Sequence, residues 1–391
     1  MWLIEVDPDT GRPAGSPRKL LDGQRYPPTA WSPDSQRIVF PRRDNQPGDA
    51  GVYGPWTLAV GGGEPSPLAD PSSFGLLSPD GKTVAYADGQ YTSSGSVWVK
   101  AVAGGEARKL GDAHYRPLAW SADGQWLACD AGRRLRFIHV ADGREVDAAT
   151  PTRPIQDYPQ GRRLFFYQSS YEQKTALKVV SPAGGPPAEF GWPDLSFEDS
   201  LGLSCWASDS RSILVEAKRG EEQRGFWAVP LDGKSAQSLT IDTPMCRDAY
   251  MKFFSPNGSN LLLVMGQGQG DWDLWTLPVS LAQRKSVGPP VKVFGGMVPP
   301  IHDQQACLDS WSPDGSKIAF IHNWDIWVVD ADGENIRQLT KTPEREGWPM
   351  WSPDGAMLAF FAQPSDSAPG SDEAQNYVQI RVIPVSGGEA R

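Results

Sequence analysis

Short apolar runs recur along the chain, divided by polar turns in which glycine, proline, aspartate and serine stand together. A typical unit begins after an Asp-Gly pair. Two or three polar residues lead into an alternating run such as Lys317-Ile318-Ala319-Phe320 or Met357-Leu358-Ala359-Phe360. A third run follows, clearest in Ile326-Trp327-Val328-Val329-Asp330 and Val97-Trp98-Val99-Lys100. Another glycine turn opens a fourth: Arg337-Gln338-Leu339-Thr340, Arg108-Lys109-Leu110 or Gln237-Ser238-Leu239-Thr240. Runs of this length with alternating polarity predict β-strands, and Asp-Gly between two of them predicts a hairpin, because glycine supplies the positive φ of the turn at no steric cost. Four antiparallel strands therefore make one unit.

The unit repeats. Trp31-Ser-Pro-Asp-Ser35, Leu77-Ser-Pro-Asp-Gly81, Trp120-Ser-Ala-Asp-Gly124, Trp206-Ala-Ser-Asp-Ser210, Phe254-Ser-Pro-Asn-Gly258, Trp311-Ser-Pro-Asp-Gly315 and Trp351-Ser-Pro-Asp-Gly355 are clear copies. A degraded eighth at Asp157-Tyr-Pro-Gln-Gly161 is marked by the Arg-Leu-Phe-Phe that follows it. Successive copies start 46, 43, 37, 49, 48, 57 and 40 residues apart. A period of about 40–50 residues with short strands is the mark of propeller blades. The expected fold is all-β, a single β-propeller over residues 1–391 with eight four-stranded blades, seven being the alternative. Trp31, Trp120, Trp206, Trp311 and Trp351 end the first strand, and Trp56, Trp98, Trp227, Trp275 and Trp327 lie in the third. Large flat residues at repeated positions predict packing between neighbouring sheets.

Composition supports this picture and narrows the chemistry. The chain has 41 Gly, 36 Pro and 16 Trp, as expected for many tight turns and aromatic seams. A net charge of −10 and the lack of a basic cluster argue against nucleic acid or an anionic membrane surface. No stretch is long and apolar enough to predict membrane insertion. Met1-Trp2-Leu3-Ile4-Glu5 lacks the basic leader of a signal peptide. Cys129, Cys205, Cys246 and Cys307 show no metal-type spacing, and unpaired thiols are expected, although Cys205 and Cys246 fall in neighbouring repeats.

The Trp-Ser-Pro-Asp-Gly, apolar-Ala-Phe, Ile-Trp-Val and Leu-Thr phrases resemble the repeat of the TolB-like, WD-type propellers over nearly the whole chain. The resemblance implies the propeller fold and an extracytoplasmic location. Its members serve in translocation, in sensing and as gatekeepers of peptidases, so it implies no single activity. Residues 2–21 read as the third and fourth strands of a partial blade, and the C-terminal Gly387-Gly388-Glu389-Ala390-Arg391 stops where Arg108 continues into Lys109-Leu110. An N-terminal strand could close the ring, but both ends supply a third strand, so either one is a frayed extra or the chain is a fragment of a longer protein.

No Gly-x-Ser-x-Gly elbow occurs, so the chain is expected to be non-catalytic, without metal or cofactor. Asp330-Ala-Asp-Gly-Glu-Asn335 opens like a calcium loop but is a strand-to-strand turn, because Lys341 rather than glutamate stands at the twelfth position counted from Asp330. Loops joining blades, and those joining second to third strands, emerge on one face. They carry the candidate binding residues Arg25, Tyr26, His114, Tyr115, Arg116, Trp192, Arg247, Asp248, Trp272, His302, Asp303, Trp324 and Trp348, with Arg42, Asp273, Asp325 and Glu346 among the charged positions nearby. A ring of such residues suits a protein or peptide partner, or a glycan, bound by a monomer. Two enzymatic alternatives stand beside this reading. One is a gatekeeper fragment of a serine oligopeptidase. The other is a metal-dependent oligosaccharide lyase, for which His114 and His302 are the loop histidines.

Overall fold

The computed structural model describes residues 30–43, 53–69, 75–88, 95–120, 124–130, 135–148, 251–266, 272–297, 311–363 and 379–386, together with shorter segments between 153 and 249. Residues 1–29 and 387–391, and with them the expected terminal strands, lie outside the described residues. The described chain forms seven antiparallel sheets whose strands follow sequence order almost throughout. The first is Ala30–Trp31, Arg37–Arg43, Tyr53–Ala59 and Ser66–Pro67. The degraded copy forms a four-stranded sheet of its own, from Arg153–Pro154 to Ala188–Phe190.

One register repeats from sheet to sheet. The residue in the first tryptophan slot faces the residue seven positions further on: Trp31 opposite Ile38, Leu77 opposite Val84, Trp120 opposite Leu127, Phe254 opposite Leu261, Trp311 opposite Ile318 and Trp351 opposite Leu358. Two residues further, Phe40 faces Trp56, Tyr86 faces Trp98 and Phe320 faces Trp327. Because side chains alternate between faces, both tryptophan slots fall on the same side of each sheet.

That side packs on the back of the preceding sheet. Trp311, Ile318 and Phe320 cover Leu262, Val264 and Val293, while Trp351, Leu358 and Phe360 cover Ala319, Ile321 and Val328. Trp31, Ile38 and Phe40 in turn cover Ala359 and Val382. Second strands are thus buried on both faces, and Ile318, Ala319, Phe320 and Ile321 are all essentially inaccessible. The alternation expected from the sequence is, in these strands, a continuous buried run.

Where a tryptophan fills the slot, an indole hydrogen bond fixes the seam in three cases. The indole of Trp120 donates to the Leu76 carbonyl (3.0 Å), that of Trp31 to Met350 (3.2 Å) and that of Trp311 to Phe253 (3.4 Å). In every case the acceptor is the residue just before the corresponding slot of the preceding sheet. The Ser-Pro-Asp-Gly turn is built by its own side chains. Ser32 Oγ donates to Asp34 Oδ1 (2.5 Å) and accepts from the Arg37 amide (2.8 Å), while the Gln36 amide donates to Asp34 Oδ1 (3.0 Å). Ser78–Asp80, Ser255–Asn257, Ser312–Asp314 and Ser352–Asp354 repeat this set. The serine hydroxyl, followed by the backbone amide, holds the Asp34 and Asp80 carboxyls below the usual carboxylate range. Gly81 has φ +69°, and a Cβ there would lie 2.6 Å from Cδ of Pro33 in the preceding turn, so the glycine is required both by conformation and by the seam.

The seam hydrogen bond has a measurable cost of removal. Trp120→Phe keeps a ring in the slot but leaves the Leu76 carbonyl without its donor, and is expected to destabilise by about 1–3 kcal/mol. A urea midpoint equal to that of the unmodified chain would contradict the assignment.

Candidate functional site

The ends of the sheets opposite the Ser-Pro-Asp-Gly turns do not follow the repeat. His322-Asn323-Trp324-Asp325 is a two-residue hairpin in which His322 faces Asp325. Asn323 and Trp324 both have positive φ, 51° and 67°. A turn with two left-handed residues matches the strand twist, and asparagine adopts it readily. Tryptophan does so at a cost of about 1–2 kcal/mol, and the turn holds its ring at the sheet's edge.

Trp348 is displayed by a different device. It sits within the strand Arg345–Trp351, where the register slips between Gly347, opposite Phe361, and Met350, opposite Ala359. At this bulge Trp348 takes φ 46° and remains 36% exposed, its ring 4.7 Å from that of Phe361. A Cβ on Gly347 would lie 2.2 Å from the Phe361 ring, so glycine is needed for the strand to bend here.

Between these two tryptophans lies a buried polar cluster. The Glu346 amide donates to the Trp324 carbonyl (3.0 Å), joining the two kinds of loop end directly. The Glu346 side chain is fully inaccessible. Its carboxylate accepts from Thr340 Oγ1 and from Thr342 Oγ1 (3.0 Å), with Arg381 Nη1 4.0 Å away. Thr340 Oγ1 accepts in turn from the Ile326 amide (2.8 Å). Arg381 is also ion-paired to Glu344. Asp325 accepts from Gln338 Nε2 (2.8 Å) and from the Thr342 amide (3.3 Å). Burial pushes the Glu346 carboxyl up to about 7, against the opposing pull of the threonine hydroxyls and Arg381, with Asp325 adding a smaller upward push.

Two further arrangements occur at the same end. Asp273, 5% exposed, accepts from the Gly296 amide (3.0 Å) and pairs with Lys292 (2.7 Å) where the third and fourth strands slip register. Arg345 lies over the Trp324 ring with Cζ 5.3 Å from its centre, and Arg42 lies over Trp56 at 4.5 Å.

The structure alters several sequence-based placements. His114, Tyr115 and Arg116 are not in a blade-joining loop. They belong to one unbroken strand, Arg108–Trp120, in which Tyr115 faces Gly95 and Arg116 faces Asp130. That strand serves as the last of one repeat and the first of the next, so both share a seven-stranded sheet. Trp272 likewise begins the strand Trp272–Ser280 and packs against the seam beside Phe294. Trp348 is a strand residue at a bulge. Only Trp324 lies in the turn expected for it. Arg25, Tyr26, Trp192, Arg247, Asp248, His302 and Asp303 lie outside the described residues. Among the described residues, no three His, Cys, Asp or Glu side chains converge to hold a metal ion. Arg345 and Arg381 were not singled out by the repeat pattern. Their only signal in the sequence is position, since Arg345 falls in a blade-joining segment and Arg381 at the start of a third strand.

The Glu346 cluster predicts a pH signature. Because the folded carboxyl titrates near 7 and an unfolded one near 4.5, folding binds a proton between these values. Stability is therefore lost as pH rises from about 4.5 to 7 and levels off above. Glu346→Gln should raise the unfolding free energy obtained from urea titration by about 2–3 kcal/mol relative to the unmodified chain at pH 8, and change it little at pH 5. An equal effect at both pH values would contradict the assignment.

Comparison with known proteins bears on the repeat. Residues 296–369 match the family described as the dipeptidyl peptidase IV (DPP IV) N-terminal region. The peptidase YuxL of Bacillus subtilis is 30% identical over 111 residues, covering 27% of this chain and 16% of that protein. The Tol-Pal system protein TolB of Anaeromyxobacter dehalogenans is 29% identical over 145 residues, covering 35% of this chain and 29% of that protein. The matched segments thus span less than a third of either relative. Among solved structures, oligogalacturonate lyase from Vibrio parahaemolyticus shares the fold with a TM-score of 0.50 and 12% identity, over 98% of this chain and 96% of that one. The matched segments and the repeated register are similar to the TolB-like propeller repeat over part of the chain.

Proposed function

We propose that the chain is a non-catalytic propeller that binds a protein or peptide on the face opposite its Ser-Pro-Asp-Gly turns. In this reading eight blades stack into a ring, the Trp351 sheet lying against the Trp31 sheet. The contacts of Trp31 with Met350 and of the Asp354 amide with Ser35 Oγ (3.2 Å) support that order, since they repeat the contacts between sheets that follow one another in sequence.

The single observation that carries the binding reading is how aromatic side chains are held at that face. Trp324 and Trp348 both occupy left-handed backbone, a conformation disfavoured for tryptophan, and each occurs where the repeat is broken by a turn or a bulge. A fold that needed only seams would place these rings inward, as it does Trp31 and Trp311. Backbone strain that displays an aromatic side chain is characteristic of binding positions. Exposed aromatic residues on a rigid support supply large contact area at low entropic cost.

A peptide library displayed on phage and selected on the immobilised chain should yield sequences whose affinity falls by about tenfold or more in Trp348→Ala, with circular dichroism unchanged. Selection of sequences indifferent to both Trp348→Ala and Trp324→Ala would refute the assignment of this face. Turnover of a peptide or oligosaccharide by the purified chain would refute the non-catalytic role.

The match to the peptidase N-terminal region and the partial coverage of YuxL favour a second reading, in which this propeller works as one part of a longer peptidase. An antibody to the chain, used on cells that make it, separates the two. A band of the size expected for 391 residues supports the first reading, and a much larger band supports the second.

A further inference from the structure

Acids outnumber bases in this chain, 47 Asp and Glu against 37 Lys and Arg, so a guanidinium without an acidic partner runs against the composition. Among the described residues, two stand at the loop face. Arg345 is exposed and Arg42 half-buried. The contact each makes among the described residues is with a tryptophan ring, Trp324 and Trp56 respectively. The carboxylates next to Arg345 are taken. Glu344 pairs with Arg381, Glu346 is buried under Thr340 and Thr342, and Asp325 accepts from Gln338 and the Thr342 amide. Arg345 and Arg42 stand on sheets that pack directly against each other, the Trp351 and Trp31 sheets.

Stacking a guanidinium on an indole fixes its plane while leaving its N–H edge open. Such an edge presents parallel donors that match the two oxygens of a carboxylate. The ring also displaces water from one side of the cation, which strengthens its attraction for an anion. Trp348, three residues along from Arg345 on the same strand, adds an exposed apolar surface.

We infer that Arg42 and Arg345 form the charged part of a docking surface for an acidic peptide, in which carboxylates alternate with apolar side chains. This rests on the binding face proposed above. A peptide fits better than a continuous polyanion. The two cations stand in a chain of net charge −10, which repels a uniformly charged strand but accepts a few carboxylates placed opposite the arginines.

The test is fluorescence anisotropy with a labelled peptide of alternating glutamate and leucine, six residues long, against its glutamine–leucine twin. The acidic peptide should bind about tenfold tighter at low salt, an advantage that shrinks as salt is raised. Arg345→Gln and Arg42→Gln should each remove most of that advantage while leaving the neutral twin unaffected. Arg345→Lys should recover only part of it, because lysine cannot form the forked pair. Equal binding of the two peptides, with dependence on Trp348, would overturn this inference and leave the binding face standing. Binding of neither would overturn both. Tighter binding of trigalacturonate than of the acidic peptide would overturn the peptide assignment.

Discussion

The stacking of each sheet on the next, pinned by an indole hydrogen bond at Trp31, Trp120 and Trp311, is the constraint on which the rest of this structure depends. Two apolar faces can slide over one another at little cost, because dispersion and area burial are not directional. A buried indole N–H and a buried carbonyl cannot be left unpaired without a penalty, so their pairing fixes both the height and the rotation of one sheet on the next. Trp31, Trp120 and Trp311 each donate to the same relative position of the preceding sheet. With that offset set, the Ser-Pro-Asp-Gly turns come into contact as well, Gly81 against Pro33 and Gly315 against Asn257. Asn257 Nδ2 then donates to the Asp314 carbonyl (2.5 Å) and ties two successive turns together.

This arrangement divides the labour between the two ends of every sheet. At the turn end the side chains are committed to local hydrogen bonds and to the neighbouring turn, which leaves little to vary. At the other end the strands need only be joined, and the joining residues are released from the repeat. There the chain places strained tryptophans, a buried glutamate and arginines stacked on rings. The Glu346 cluster belongs to this division too. It joins the fourth strand of one repeat, through Thr340, to the first strand of the next, so a proton held at that carboxyl bears on the same seam that displays Trp324 and Trp348.

Much of the fold could be read from the sequence, because the repeat encodes both strand order and seam. The Trp-Ser-Pro-Asp-Gly copies place the first-strand tryptophans between sheets, and Trp31, Trp120, Trp311 and Trp351 are all buried there. The carboxylate of that phrase does accept backbone hydrogen bonds in its turn. Even the degraded copy near Asp157 forms a sheet. Loop boundaries were less legible. His114, Tyr115 and Arg116 carry turn-like polarity yet extend a strand, because pairing with Gly95 and Asp130 continues through them. Nor does any local signal mark Trp348 as a bulge residue, since the slip in register is set by the close approach of Gly347 to Phe361. The burial of Glu346 was equally hidden. Arg381 faces it from a strand that is distant in sequence and comes alongside only when Arg345–Trp351, Met357–Gln363 and Gln379–Pro384 pair in one sheet.

The most direct test of this account is hydrogen exchange at the indole N–H groups, followed by NMR on the tryptophan-labelled chain with each signal assigned by single Trp→Phe replacement. The seam tryptophans Trp31, Trp120 and Trp311 should exchange orders of magnitude more slowly than Trp348, because their N–H groups open only when sheets separate. Exchange of these three at the rate of Trp348 would show that the indole bonds do not hold the sheets together, and would contradict the account.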